Sequence, residues 1–344
     1  MLKQISQEIK EVLAGFSVND NLIFNNKLIE IDQKHFNKIN TINVLDNDKK
    51  LDNDKIIVNE KTIAFIDGGQ AEIISAGNFC LSFIRVAGIV FRGNKKVDYI
   101  KHEFYLFTRA KYINDDLVYE SKVYPLTNNI TNNITNNLNP KLISKLISES
   151  DLLISSNDSS IKTGTERAPI GKVANMARRF AELSLAAELK AVFIVFDGTL
   201  EPTFKNEEKF IARLPENASA LAKSSSLFTT SGNSPVILLN KIGPAGNWSY
   251  FVEGKTYFVK LNEKAKHVFR FEGNKEVLSF LVENSGDALF LGYPYGLIFV
   301  DKMARVGNKE KQSLMVNFLL RKENREIMEY LQTSNSHDIL DRIQ

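Results

Sequence analysis

The sequence predicts an α/β protein with a mixed, partly antiparallel sheet flanked by helices, on three observations. Residues 62–109 form a dense β pattern in which "TIAFID", "AEIISAG", "FCLSFIRVAGIVF" and "HEFYLFTRA" are rich in Ile, Val and Phe and separated by Gly or Asn. Residues 171–190 have apolar positions three and four apart and run directly into an apolar strand at 191–196. Later strands and helices alternate irregularly, whereas a doubly wound parallel sheet needs strict alternation.

In chain order, Leu2, Ile5, Ile9, Val12, Leu13 and Phe16 fit one helical face, which predicts a helix over 1–16. The polar stretch 41–61, with its near-tandem "LDNDKKLDNDK", reads as a loop or a short charged hairpin. The β pattern follows. "TNNITNNITNNLN" at 127–139 is of low complexity and reads as a surface loop insertion. Ser-rich 155–165 is a second loop. Val173, Met176, Ala177, Phe180, Leu183 and Ala187 mark the helix before the 191–196 strand. Strand-like runs come next at 236–240, 248–252, 256–261 and 267–271, then a helix at 275–284. C-terminal helices are expected over 309–344, where Leu314, Met315, Phe318, Leu319, Ile327 and Leu331 keep helical spacing. The whole reads as one domain, 1–344.

Composition narrows the function classes. A chain of 344 residues, 43% hydrophobic, can bury a sizeable core. The formal net charge of +3 gives no global basic field, although a local groove can still be basic. One cysteine, Cys80, excludes an intrachain disulfide and a multi-cysteine zinc site. Lys3, Glu8, Lys10 and Glu11 interrupt any N-terminal apolar stretch, and no segment reaches the ~18–20 apolar residues of a bilayer span. A cytoplasmic protein without a membrane segment is expected. There is no Gly-x-x-x-x-Gly-Lys-Ser/Thr loop and no Gly-x-Ser-x-Gly elbow, and the four histidines are scattered. Cys80 reads as a core residue.

The chemistry-bearing candidates are carboxylates. "TIAFIDGG" and "AVFIVFDG" each drive an apolar strand into Asp-Gly, at Asp67 and Asp197. Such an end is either a strand-terminating turn or a carboxylate aimed into the crevice where open sheets place ligands. Two such carboxylates suit a hard divalent cation, which prefers oxygen ligands. Gly68 and Gly198 permit tight turns and close approach of a phosphate backbone. Glu182 sits one turn from Arg178 and Arg179, so it reads either as an intrahelical ion pair or as a third ligand. In "LGYPYGLIFVDKMARV", Pro294 is placed to open a helix, and Asp301 falls on the side of Leu297 or Ala304 unless it pairs with Lys302 or Arg305.

These words, in this order, resemble the NurA nucleases. The likeness runs from Asp-Gly-Gly (67–69) through "RRFAELSLAAEL" (178–189), "FIVFDGTL" (193–200) and "LAKSSS" (221–226). It continues through "YFVKLNEKAKHVFRFE" (257–272) to "YPYGLIFVDKMARV" (293–306). The resemblance implies an RNase H-like core, a ring-shaped homodimer, and Mn²⁺- or Mg²⁺-dependent digestion of DNA during end processing, in partnership with a HerA-type hexameric ATPase. It implies that Asp67, Glu182, Asp197 and Asp301 hold the metal, with Tyr293 beside them. Lys223 reads either as a contact to the scissile or an adjacent phosphate or as a solvated lysine. Glu188 competes with Glu182 for the helix position. Gly69 stands where the family pattern usually has Ser, and Asp301 where some members have His. The alternative function is a non-catalytic module that docks DNA and the ATPase on the same scaffold; a hydrolase acting on nucleotides through the same carboxylates is a third reading.

Overall fold

The computed structural model describes residues 2–14, 20–40, 61–126, 146–290 and 292–334. The polar stretch through residue 60 and the Asn-rich insertion at 127–139 lie outside them. In chain order the described elements begin with helix α1 (Leu2–Ala14) and strands β1 (Asn21–Phe24), β2 (Lys27–Glu30) and β3 (Phe36–Lys38). Four long or medium strands follow: β4 (Thr62–Ala76), β5 (Phe79–Arg92), β6 (Lys95–Ile113) and β7 (Asp116–Pro125). Then come β8 (Ile154–Ser155), α2 (Val173–Glu188), β9 (Phe193–Asp197), α3 (Glu208–Ile211), β10 (Ala218–Ala222) and β11 (Phe228–Thr229). The last part holds α4 (Pro235–Ile242), β12 (Trp248–Glu253), β13 (Thr256–Lys260), β14 (Phe269–Glu272), α5 (Leu278–Glu283), α6 (Tyr295–Ala304), α7 (Asn308–Leu319) and α8 (Arg325–Ser334).

Among the described residues the main sheet runs β3-β12-β13-β14-β10-β9-β4-β5-β6-β7-β8, and a small sheet runs β11-β1-β2. β4, β5 and β6 form an antiparallel meander, while β9 lies parallel to β4 and β10 parallel to β9. The order β6-β5-β4-β9-β10, with α2 crossing from the meander to β9, is the arrangement expected of an RNase H-like core. The sheet is mixed and flanked by helices, as the irregular alternation predicts.

Alternation along β4 sorts the core into two layers. Ala64 and Ile66 face α2 together with Met176, Ala177, Phe180 and Phe196. Ile63 and Phe65 face the other way, with Val195 and the Leu297, Val300 and Ala304 side of α6. β5 is buried at nearly every position because it has a layer on both faces, which is why its sequence is continuously apolar rather than alternating.

Two expectations are corrected. "VILLN" at 236–240 is not a strand but part of α4. A short apolar run does not distinguish strand from buried helix. Here Pro235 sits at the first helical position, where its fixed φ suits a helix, and Pro235, Leu238 and Leu239 form the buried face. Asp67 does not end its strand either. β4 continues through Gly68 and Gly69 to Ala76, because β5 pairs with it along that length: Asp67 opposite Ala87, Gly68 opposite Val86, Gly69 opposite Arg85. "TIAFID" and "AEIISAG" are therefore one strand.

Candidate active site

The site lies where β9 ends and β4 goes on. The parallel pairing runs from Ile63–Phe193 to Ile66–Phe196 and stops there. Asp67 and Asp197 are the next residues on neighbouring strands, so their backbones lie about one inter-strand spacing apart, roughly 5 Å. β9 terminates at Asp197 because Gly198 takes φ +120°, a conformation that L side chains rarely adopt, while its N–H donates to Leu221 O at 3.1 Å. Beyond Ile66 one edge of β4 has no strand partner among the described residues, and helices close on it instead.

Those helices approach from both faces, and the two glycines admit them. A Cβ on Gly68 would meet Arg178 Cγ at 2.9 Å and collide with the Glu182 carboxylate. The space that a side chain at Gly68 would take is thus filled by α2. A Cβ on Gly69 would meet Ala304 C at 2.8 Å and Arg305 Cα at 3.1 Å, where the end of α6 crosses the strand. That contact is a physical reason for glycine at position 69. Gly69→Ser is expected to destabilise the fold by about 3 kcal/mol, since backbone cannot yield as a flexible side chain can. A urea midpoint equal to that of wild type would reject the contact. Gly198 differs: nothing lies within 4 Å of its would-be Cβ, so the space beside Asp197 is open.

Glu182, only 3% exposed, reaches the crevice from α2. It pairs with Arg178 one turn away, and Arg178 Nη1 also donates to Gly68 O at 3.2 Å. Glu182 thus forms the intrahelical ion pair and its charge also acts on Asp67. Glu188, in the last turn of the same helix, is exposed. Asp67 takes a hydrogen bond from Gly68 N at 2.7 Å. Burial, then the charges of Glu182 and Asp197, push its carboxyl up to about 7. Asp197 pairs with Lys223, which stands just past the end of β10 with its Nζ 5.3 Å from the Tyr293 ring centroid. The Tyr293 hydroxyl is buried against Asp197 without the alignment of a hydrogen bond. Burial and the Asp197 and Asp67 charges hold its proton on, well above the ordinary phenol range.

Asp301 stands at the rim. It lies on α6, pairs with Arg305 rather than Lys302, and adds a small contribution to the field at Tyr293. The fold thus brings Asp67, Glu182, Asp197, Tyr293 and Lys223 together, with Asp301 near enough to add to the field at Tyr293. Among the described residues no three Asp, Glu, His or Cys side chains converge tightly enough to hold an ion as they stand. Glu182 and Asp197 point instead to Arg178 and Lys223.

Sequence reasoning missed the scaffold behind the acids. Glu207, fully buried, accepts from Arg179 Nε at 2.7 Å, Thr203 N at 2.7 Å and Phe204 N at 2.9 Å. Arg179 also donates to Thr199 O at 2.6 Å, and its Nη1 lies 3.9 Å from Glu182 Oε2. Glu272 accepts from Leu200 N at 2.7 Å and pairs with Arg270 at 2.8 Å. The segment leaving Asp197 is pinned along its length. The only local signal was "RR" at 178–179, and nothing in it identifies Glu207 as the partner.

No family model matches the chain, and no curated protein matches it. Solved structures with partial likeness include the catalytic domain of human Endonuclease V, at 10% identity and TM-score 0.33, covering 71% of this chain and 81% of that one. Ciona intestinalis Endonuclease V in complex with an inosine-containing 24mer DNA aligns at 11% identity and TM-score 0.35, covering 74% and 87%. Aquifex aeolicus Argonaute aligns at 11% identity and TM-score 0.27, covering 71% of this chain and 28% of that one. At these identities and TM-scores none of them defines an activity for this chain.

Proposed function

We propose that this chain is a divalent-metal-dependent deoxyribonuclease of the NurA kind. The observation that carries the reading is the juxtaposition of Asp67 and Asp197 on adjacent parallel strands, with Glu182 delivered beside Asp67 by α2. The donors suit Mn²⁺ or Mg²⁺. They are all carboxylate oxygens, and Asp67, pushed up first by burial and then by the Glu182 and Asp197 charges, lies where acids crowd together with Arg178 as the opposing cation. Asp67, Asp197 and Glu182 would hold the ion, with Asp301 at the rim; when bound it supplies Lewis-acid neutralisation of the phosphate and a more acidic water.

The chain's own groups do the rest. Lys223, half-exposed and already at the crevice, binds the phosphate beside the scissile bond. Tyr293, kept protonated, donates its hydroxyl hydrogen to a phosphate oxygen. The open space beside Gly198 admits the strand. From the resemblance we further infer a homodimer acting in the cytoplasm with a HerA-type ATPase on DNA ends.

The non-catalytic DNA- and ATPase-docking reading is favoured by one observation: Glu182, Asp197 and Asp301 are each paired with Arg or Lys. One experiment separates the two. Calorimetric titration of Mn²⁺ and hydrolysis of linear DNA are measured on wild type and Asp197→Asn. The nuclease reading expects Mn²⁺-dependent cleavage lost at least about 100-fold in the variant, with weaker Mn²⁺ binding. Absence of cleavage by pure wild type together with intact DNA binding would favour the docking module.

A further inference from the structure

The surface beside the crevice alternates aromatic rings and lysines. Inward-facing Gly296, Leu297, Val300 and Ala304 seat α6 on the sheet, which turns Phe299 and Lys302 outward. Phe290 is 40% exposed and Phe299 39% exposed, Phe299 touching Tyr295 by an edge-to-face contact that leaves part of its surface open. From the crevice outward, Lys223 lies over Tyr293. Lys302 Nζ is 5.8 Å from the Phe290 centroid, and Phe299 is one turn from Lys302. Lys96 Nζ, at the start of β6, is 5.8 Å from the Phe299 centroid and 4.0 Å from that of Tyr99. Neither Lys96 nor Lys302 has a carboxylate partner among the described residues. The acids nearby are engaged: Asp301 by Arg305, and Asp98 by Tyr99 N at 2.8 Å.

We propose that this track, from the Asp67–Asp197 crevice over the outer face of α6 to the start of β6, binds single-stranded nucleic acid, with bases on Phe290 and Phe299 and phosphates on Lys302 and Lys96. It deepens the nuclease reading and rests on it for the crevice end, naming the form in which the substrate strand arrives. Ring faces are of use only to unpaired bases, since a duplex hides its base faces. A protein partner would favour a surface depleted of lysine; here the rings alternate with unneutralised ammonium groups, matching the alternation of base and phosphate. Continuity with the carboxylates places a strand held on the track at the reacting centre.

The test is fluorescence anisotropy in EDTA, where no metal-dependent cutting occurs, with labelled oligo-dT and a labelled blunt hairpin duplex. Phe290→Ala/Phe299→Ala is expected to weaken oligo-dT binding roughly 10-fold or more while duplex binding stays within about 2-fold. Phe290→Trp/Phe299→Trp should restore it. Lys96→Ala/Lys302→Ala should lower the slope of log K against log salt by about one unit or slightly more. Unchanged oligo-dT binding in the aromatic variant overturns the proposal, as does an equal loss on both DNAs. A change in sedimentation mass with oligo-dT affinity intact also overturns it, because the rings would then serve contact between copies. The nuclease reading is judged separately, by cleavage in Mn²⁺: wild-type cleavage with an inert track would leave that reading standing alone.

Discussion

Asp67→Asn is expected to abolish the proposed DNA hydrolysis and, in chelator at pH 8, to raise the melting temperature. Both effects have one cause. The Asp67 carboxyl titrates near 7 in the fold against 3.8 as an ordinary aspartate, so the folded chain holds a proton there that the unfolded chain has already lost. Stability contributed by that proton is present at low pH and is lost as pH rises from about 4 to about 7. Above that window the charged, buried carboxylate costs on the order of 4 kcal/mol at most. Asparagine removes the charge and keeps the shape. The stability gap between variant and wild type is therefore expected to be smallest at low pH, below about 4, and largest at pH 8. Comparing each with the other cancels His102, which runs the opposite way: burial lowers it to about 4, so it disfavours the fold as pH falls from about 6.5. Mn²⁺ should raise the melting temperature of wild type and do so less for the variant. Melts at both pH values, with chelator and with Mn²⁺, decide it. A variant that still cuts DNA, or a gap independent of pH, would remove Asp67 from the site.

Arg179→Met is expected to destabilise the fold by roughly 3–5 kcal/mol, because it strands the Glu207 carboxylate in the interior. Glu207 would keep only Thr203 N and Phe204 N, and Thr199 O would lose its donor. The double variant Arg179→Met/Glu207→Leu should recover part of the loss, since both charges are then gone and only the loop's hydrogen bonds are missing. Urea denaturation of the two variants measures this. A loss below about 1 kcal/mol in the single variant would mean that the pair is not the clamp described here. Because Arg179 ties α2 to the segment leaving Asp197, a milder Arg179→Lys should weaken Mn²⁺ binding more than it lowers stability.

The candidate site was legible in unequal parts. Asp197 was readable: an apolar run, a carboxylate, then a glycine whose backbone leaves the strand. Asp67 was readable as chemistry but not as geometry. Asp-Gly-Gly reads as a turn, yet β5 is long enough to carry the strand straight through it. The pairing of Glu182 with Arg178 followed from helical spacing, but its burial did not, because burial depends on how closely α2 approaches Gly68. Asp301 was placed with the others by resemblance; in the fold it pairs with Arg305 on α6 and adds to the field at Tyr293. The run at 236–240 misled because five apolar residues carry too little periodicity to separate a strand from a helix.

Local covalent order determined the α/β class, the apolar strands before Asp67 and Asp197, the helix that carries Glu182 and the proline that opens α6. These depend on residues a few positions apart, within reach of backbone sterics and side-chain period. Only the tertiary structure decided which acids meet, that Glu207 locks Arg179, and that Lys223 and Tyr293 close the crevice. Each of those contacts joins segments tens to hundreds of residues apart, and their partners are selected by sheet order and helix approach, which no short stretch of chain encodes.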